Sequence, residues 1–392
     1  MYLLFFVTLV FTLFFNTKVP KSLGYDGIIH TLSALPIAVY FTTRFITQKI
    51  QFNRDAVYII FLAVIIFIFK WAIGQDYMYD IILLLIVPML TSICFDTLPG
   101  KEFTLLRRIT IIFYIVECCL AMVEWKLSHN FFTFQLLTNY TDNWVDVGFF
   151  RSTSLFGHPL ANAQIVAVFM AFIAVSDFKK KFFQINLFLL GYVSLFCFNA
   201  RGAILVVTLL VTPYFFWKIN KITRKRTKWI INICVFCMFL CMFYIIAGTS
   251  MGNRLTGKDL LDDSGQTRYE VFKFYKYYQN DDDFLWGHPD NYVYMMGKLE
   301  AAGVENGVIT LILDYGIIFT IPMLILLFKF QYHKLSIYSK TEKWLLLAVF
   351  YIIGNMNPNL AEPIQWIMWI YAYYVFRSEL PPPHTVNAIS LK

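Results

Sequence analysis

The sequence predicts an all-α polytopic integral membrane protein of about twelve transmembrane helices, with one long, partly helical loop between the ninth and the tenth. Three observations carry that expectation. Hydrophobic residues make up 58% of the 392 and charged residues only 15%, against an apolar share of about 45–50% in soluble domains. Apolar runs of spanning length recur from one end of the chain to the other. The third is a polar interval over residues 249–303, the only long hydrophilic passage in an otherwise apolar chain.

Taken in order, spans are expected at 2–17, 27–43, 56–74, 80–96, 109–126, 161–177, 183–199, 202–217, 229–248, 304–328, 338–354 and 363–377. The opening run, Met1 to Asn16, has no positive stretch before it and no small-residue cleavage site after it, so it reads as a retained first helix. This divides the chain into spans 1–9 (1–248), the large loop (249–303), spans 10–12 (304–377) and a tail (378–392). The tail starts in a proline run and is expected to be disordered.

The distribution of lysine and arginine matters more than the net charge of +8, because short basic loops stay on the cytoplasmic side. With the N-terminus cytoplasmic, the inner loops take Arg44, Lys49 and Arg54; Lys101, Arg107 and Arg108; Lys179 to Lys181; the basic run from Lys218 to Lys228; and Lys329 to Lys343. Lys18 and Lys21 run against the pattern. The basic charge is thus assigned to anionic headgroups, and no nucleic-acid partner is expected. All seven cysteines fall in apolar runs, which indicates no disulfide framework; Cys234, Cys237 and Cys241 lack nearby His or carboxylate ligands and read as small hydrophobes.

Chemistry is therefore sought on the outer side. Arg151 opens the segment Arg-Ser-Thr-Ser-Leu-Phe-Gly-His-Pro (151–159), Arg201 sits in Asn-Ala-Arg-Gly-Ala (199–203), Arg268 lies in the long loop, and Glu305-Asn306 opens span 10. Guanidinium is planar, always charged and suited to bidentate contact with phosphate oxygens, so three arginines at headgroup depth suit a lipid diphosphate. The bland alternative is arginine snorkelling to ordinary headgroups. Glu305 is a candidate general base, against a simple first-turn carboxylate favoured by the helix dipole. His158 and His288 each follow an aromatic-Gly pair and precede proline; they are further candidate bases or plain turn histidines. The run Asp281 to Asp283 reads as a solvated surface, and no metal site, Walker motif or nucleophile elbow occurs.

The order of these pieces, with Arg-Ser-Thr-Ser-Leu-Phe-Gly-His-Pro (151–159), Ala-Arg-Gly-Ala (200–203) and an arginine-bearing loop that ends at Glu305-Asn306, resembles the bacterial O-antigen ligase and Wzy-type polysaccharide polymerase superfamily over residues 145–320. The first four spans match only by hydropathy. The resemblance implies a metal-independent, cofactor-free, inverting glycosyltransferase that acts on undecaprenyl-diphosphate-linked oligosaccharides at the periplasmic face of the bacterial inner membrane. It implies that Arg201 and Arg268 hold the donor diphosphate, a role extended here to Arg151, and that a chain-length regulator and a flippase are partners.

Ligases of that family carry a histidine, a small polar residue, nine residues and then Gly-x-x-Gly. This chain has Glu305-Asn306, nine residues, Gly316 and then Phe319. The missing histidine points to an O-antigen polymerase rather than a ligase and leaves Glu305 as base by position. The alternatives are the ligase and, in a different class, a non-enzymatic lipid-linked sugar flippase or transporter. A transporter is expected to carry ionisable residues within spans, for which Glu117, Glu124 and Asp314 are the candidates.

Overall fold

A computed structural model of the chain describes residues 38–43, 45–47, 52–75, 78–98, 100–131, 150–156, 158–222, 271–276, 282–288 and 304–377, with isolated positions between 229 and 298. The expected first span, nearly all of the ninth, Arg268, the run Asp281 to Asp283 in part, and the tail lie outside the described residues.

Every regular element among the described residues is helical. The main helices are α1 (Arg54–Ala72), α2 (Ile82–Asp96), α3 (Gly100–Leu127), α4 (Pro159–Val175), α5 (Lys181–Cys197), α6 (Arg201–Lys221), the short α7 (Asp283–Trp286), α8 (Gly307–Lys334), α9 (Lys340–Asn355) and α10 (Pro363–Phe376). They fall on the ranges read as spans 3–8 and 10–12. Three are both long and apolar enough to cross a membrane: α1, α6 and α8 with its 3-10 extension to Ile337. Helices α3, α6 and α8 run several residues past the expected span ends. Helix α3 starts at Gly100 and takes in Arg107 and Arg108, and α8 continues to Lys334, because lysine and arginine propagate a helix almost as well as leucine.

Helix α4 forms the centre. Every side chain from Asn162 to Val175 is buried, and α5, α6, α9 and α10 all pack around it. Its frequent alanines allow close approach, and aromatic rings fill the gaps: Phe169 meets Phe376 at 5.5 Å between centroids and Phe172 meets Trp369 at 5.9 Å.

Helix α8 is broken. At Gly316 the backbone turns to φ 73°, ψ 164°, a region open almost only to glycine. The break frees backbone carbonyls in an apolar setting, where each needs a partner, and three near it are met from outside the helical ladder. Leu311 O accepts from Thr320 Oγ1 at 2.9 Å, Leu313 O from His288 N at 2.9 Å, and Asp314 O from Lys70 Nζ at 3.1 Å. Helix α7 is pressed into this break. Lys70, only 1% exposed, also donates to Trp286 O at 2.6 Å, Gly287 O at 2.8 Å and Gln75 Oε1 at 2.9 Å. One buried ammonium therefore ties α1, the 283–288 segment and α8 together. Lys70→Met keeps the volume but takes the ammonium from Trp286 O and Asp314 O and leaves Gly287 O only the longer bond from Gln75 Nε2 at 3.4 Å; it is expected to destabilise the protein by about 2–4 kcal/mol, read as a lower thermal midpoint in detergent.

The charged pairs gather at the other end of the bundle. Lys334 pairs with Asp96 and Tyr374, Asp55 meets His333 at 2.6 Å, and Lys218 meets Glu342 at 2.8 Å. These residues lie at the C-terminal ends of α2, α6, α8 and α10 and the N-terminal ends of α1 and α9. The starts of α4, α6 and α8 and the end of α9 consequently share the opposite end, where the cavity described next opens.

Candidate active site

The residues around the cavity are set by a buried carboxylate. Glu124, near the end of α3, is fully buried. Its Oε2 accepts from Thr153 N at 2.9 Å, Ser154 N at 2.8 Å and Ser152 Oγ, while Oε1 accepts from Phe131 N at 2.9 Å. Glu117, two turns earlier, accepts from Leu155 N at 3.2 Å. A chain segment with polar side chains and no secondary structure is thereby fixed inside the bundle, even though Ser154 takes a left-handed φ of 40°. Asn162 of α4 adds a bond from its side-chain amide to Thr153 O.

Arg151 leads this segment. Its Nε donates to Phe198 O at 3.1 Å, its carbonyl accepts from Asn130 at 3.2 Å, and the neighbouring Ser152 N donates to Cys197 O at 3.0 Å. The guanidinium is thus held against the end of α5, where the chain turns through Asn199 (φ 50°) into α6. Arg201 is the first residue of α6, and no side chain caps that helix. Its N-terminal dipole adds positive potential beside the guanidinium. The start of α8, by contrast, is capped: Asn306 accepts from Ile309 N at 3.0 Å and Asn355 from Val308 N at 3.1 Å.

These pieces enclose a cavity of about 620 Å³, within the range that takes a small ligand. Arg151 and Arg201 lie on its wall, as do Glu305, Asn306, Asn199, Phe272, Tyr351, Asn355 and Asn357. Of the residues singled out from the sequence, three therefore share one cavity: Arg151, Arg201 and Glu305. His158 and His288 are not among its described lining. His158 is the residue before α4, with no capping bond from its side chain; His288 lies at the α8 break, its N–H on Leu313 O.

Sequence reasoning missed the contribution of residues 351–357 and the part played by Glu124. The run Asn355-Met356-Asn357-Pro358-Asn359 was the available signal for the first, since three asparagines between apolar spans demand partners. For the second, a carboxylate in an apolar run reads from sequence as a candidate for transport. Its bonds instead hold the Arg151 segment. Glu124→Gln places an N–H among donors, and is expected to destabilise the fold by about 1–3 kcal/mol while lowering any activity that depends on Arg151, a combination read from thermal midpoint and assay together.

Among the described residues no three His, Cys, Asp or Glu side chains are grouped to hold a metal ion. Chemically, the cavity wall brings together two guanidinium groups suited to an anion, a carboxylate that can accept a proton, and neutral hydrogen-bonding groups. What the described residues define is an all-helical protein with three helices fit to cross a membrane and a cavity with charged and polar side chains at one end of the bundle. Beyond that class the comparisons add nothing: no model of a known protein family matches the chain, and no curated protein matches it either.

Proposed function

We propose that the protein is an inverting glycosyltransferase that polymerises undecaprenyl-diphosphate-linked oligosaccharide repeat units into O-antigen or a related surface polysaccharide, at the periplasmic face of a bacterial inner membrane. The observation that carries this reading is the meeting of Arg151, Arg201 and Glu305 in one cavity from separate stretches of sequence. The proposed frame has about twelve spans, both termini cytoplasmic, and the 249–303 loop on the cavity side. Crowding of the basic pairs at the far end of the bundle supports that orientation.

In the proposed reaction the arginines hold the diphosphate of the donor. A hydroxyl of a second lipid-linked unit attacks the donor's anomeric carbon from the face opposite the diphosphate. The new C–O bond forms as the bond from carbon to diphosphate oxygen breaks. Undecaprenyl diphosphate leaves with the electron pair, its charge stabilised by Arg151, Arg201 and, in this reading, Arg268. The hydroxyl proton passes to Glu305, which is favoured over His158 and His288 because only it lines the cavity. The donor bond supplies the energy, so no cofactor or metal is required.

Glu305→Gln tests this. It removes the proton acceptor and retains size, so chain extension is expected to fall about 10²–10⁴-fold with protein levels unchanged. The readout is polysaccharide ladder length on a gel in a strain lacking the native copy. Ladders of normal length would rule out Glu305 as the base. A transporter of lipid-linked sugars is the second reading, favoured by the break in α8. Against it, the buried ammonium at the break is bonded to backbone carbonyls and Gln75 rather than facing a substrate path.

A further inference from the structure

Two residues of the cavity wall carry buried hydrogen-bonding atoms that have no partner among the described residues. Asn199 is 3% exposed, and among the described residues neither its Oδ1 nor its Nδ2 has a partner. The buried Oη of Tyr351 has none there either. Its ring is fixed by neighbours, Trp366 at 6.3 Å and Phe350 at 5.4 Å between centroids. The left-handed φ of 50° at Asn199 explains a preference for asparagine in the backbone. It does not explain two unmet amide atoms, which are costly to bury without partners.

The chemistry of those atoms restricts what completes them. Arg151 and Arg201 on the same wall are donors only, matched to phosphoryl oxygens, which at a diphosphate only accept. An anion alone would satisfy Nδ2 of Asn199 and the phenolic hydrogen but would leave Oδ1 unmet. That oxygen needs a donor. A hydroxyl both gives and accepts, and a sugar ring presents several at fixed angles. We propose that Asn199 and Tyr351 form a glycosyl subsite, which hydrogen-bonds hydroxyls of the sugar carried by the diphosphate that Arg151 and Arg201 hold. This rests on the diphosphate reading of the cavity given above and adds the part of the ligand that the arginines do not read.

The test uses full-length protein in nanodiscs and measures the affinity of farnesyl diphosphate against farnesyl diphosphate carrying glucose, galactose or N-acetylglucosamine. The variants are Asn199→Gly, which keeps a left-handed backbone while deleting the amide, and Tyr351→Phe, which deletes only the hydroxyl. Wild type is expected to bind at least one sugar-bearing probe about 10-fold more tightly than farnesyl diphosphate. Each variant should remove most of that preference and leave farnesyl diphosphate affinity unchanged, as expected for hydrogen bonds worth about 1–1.5 kcal/mol. A sugar preference absent from wild type, one that survives both variants, or an equal loss on every probe would overturn the subsite and leave the arginine clamp standing. Failure of wild type to bind any of the diphosphates would overturn the clamp and the subsite with it.

Discussion

Replacing Arg201 by alanine is expected to abolish long polysaccharide chains while the protein still inserts and accumulates normally. The guanidinium heads an uncapped helix on the cavity wall, so its removal deletes a positive charge at the point where, in the proposed reaction, the leaving diphosphate gains negative charge. Loss of one preplaced donor at a developing anion lowers turnover by about 10²–10³-fold. Lysine restores charge without the planar fork and should recover only part of it. Arg151→Ala should act in the same direction, with a stability cost added, because its Nε also bonds Phe198 O. Normal ladder lengths in Arg201→Ala at wild-type expression would remove the clamp.

Gly316→Ala is expected to be the most damaging single substitution for the fold. A Cβ there would overlap the backbone of Leu285 and Trp286, and the φ of 73° strains any side chain. The clash is mutual, since a Cβ on Gly287 would overlap Tyr315 and Gly316. Backbone against backbone cannot yield as a flexible side chain can. The two effects together are expected to destabilise the protein by about 3 kcal/mol or more, seen as a large drop in thermal midpoint and as new protease cuts in the 283–288 segment. Gly297→Ala is the control, because a Cβ there meets nothing within 4 Å and should leave the midpoint unchanged.

The helical framework was readable because apolar runs of spanning length are a one-dimensional signal. The starts of α4, α6 and α8 near 159, 201 and 307 follow from the polar stretches that precede them. The meeting of Arg151, Arg201 and Glu305 was readable in outline, since each stands beside the start of an apolar run expected to face the same side. The break in α8 was not. Its partners are carbonyls of Trp286, Gly287 and Asp314 bonded to a lysine more than two hundred residues away in sequence, and a carbonyl carries no side-chain signal. Lys70 within an apolar run was the visible trace. The histidines show the opposite lesson: His158 and His288 sit in similar Gly-His-Pro settings, yet one precedes α4 and the other serves the α8 break, and neither lines the cavity.

The most direct measurement of the central proposal is to supply purified protein in liposomes with undecaprenyl-diphosphate-linked repeat units, in the presence of a metal chelator, and to count undecaprenyl diphosphate released per glycosidic bond formed. The proposal predicts one released per bond, inversion at the anomeric carbon, and neither product with Arg201→Ala. Repeat units recovered intact, whether left in place or moved across the bilayer, would contradict it.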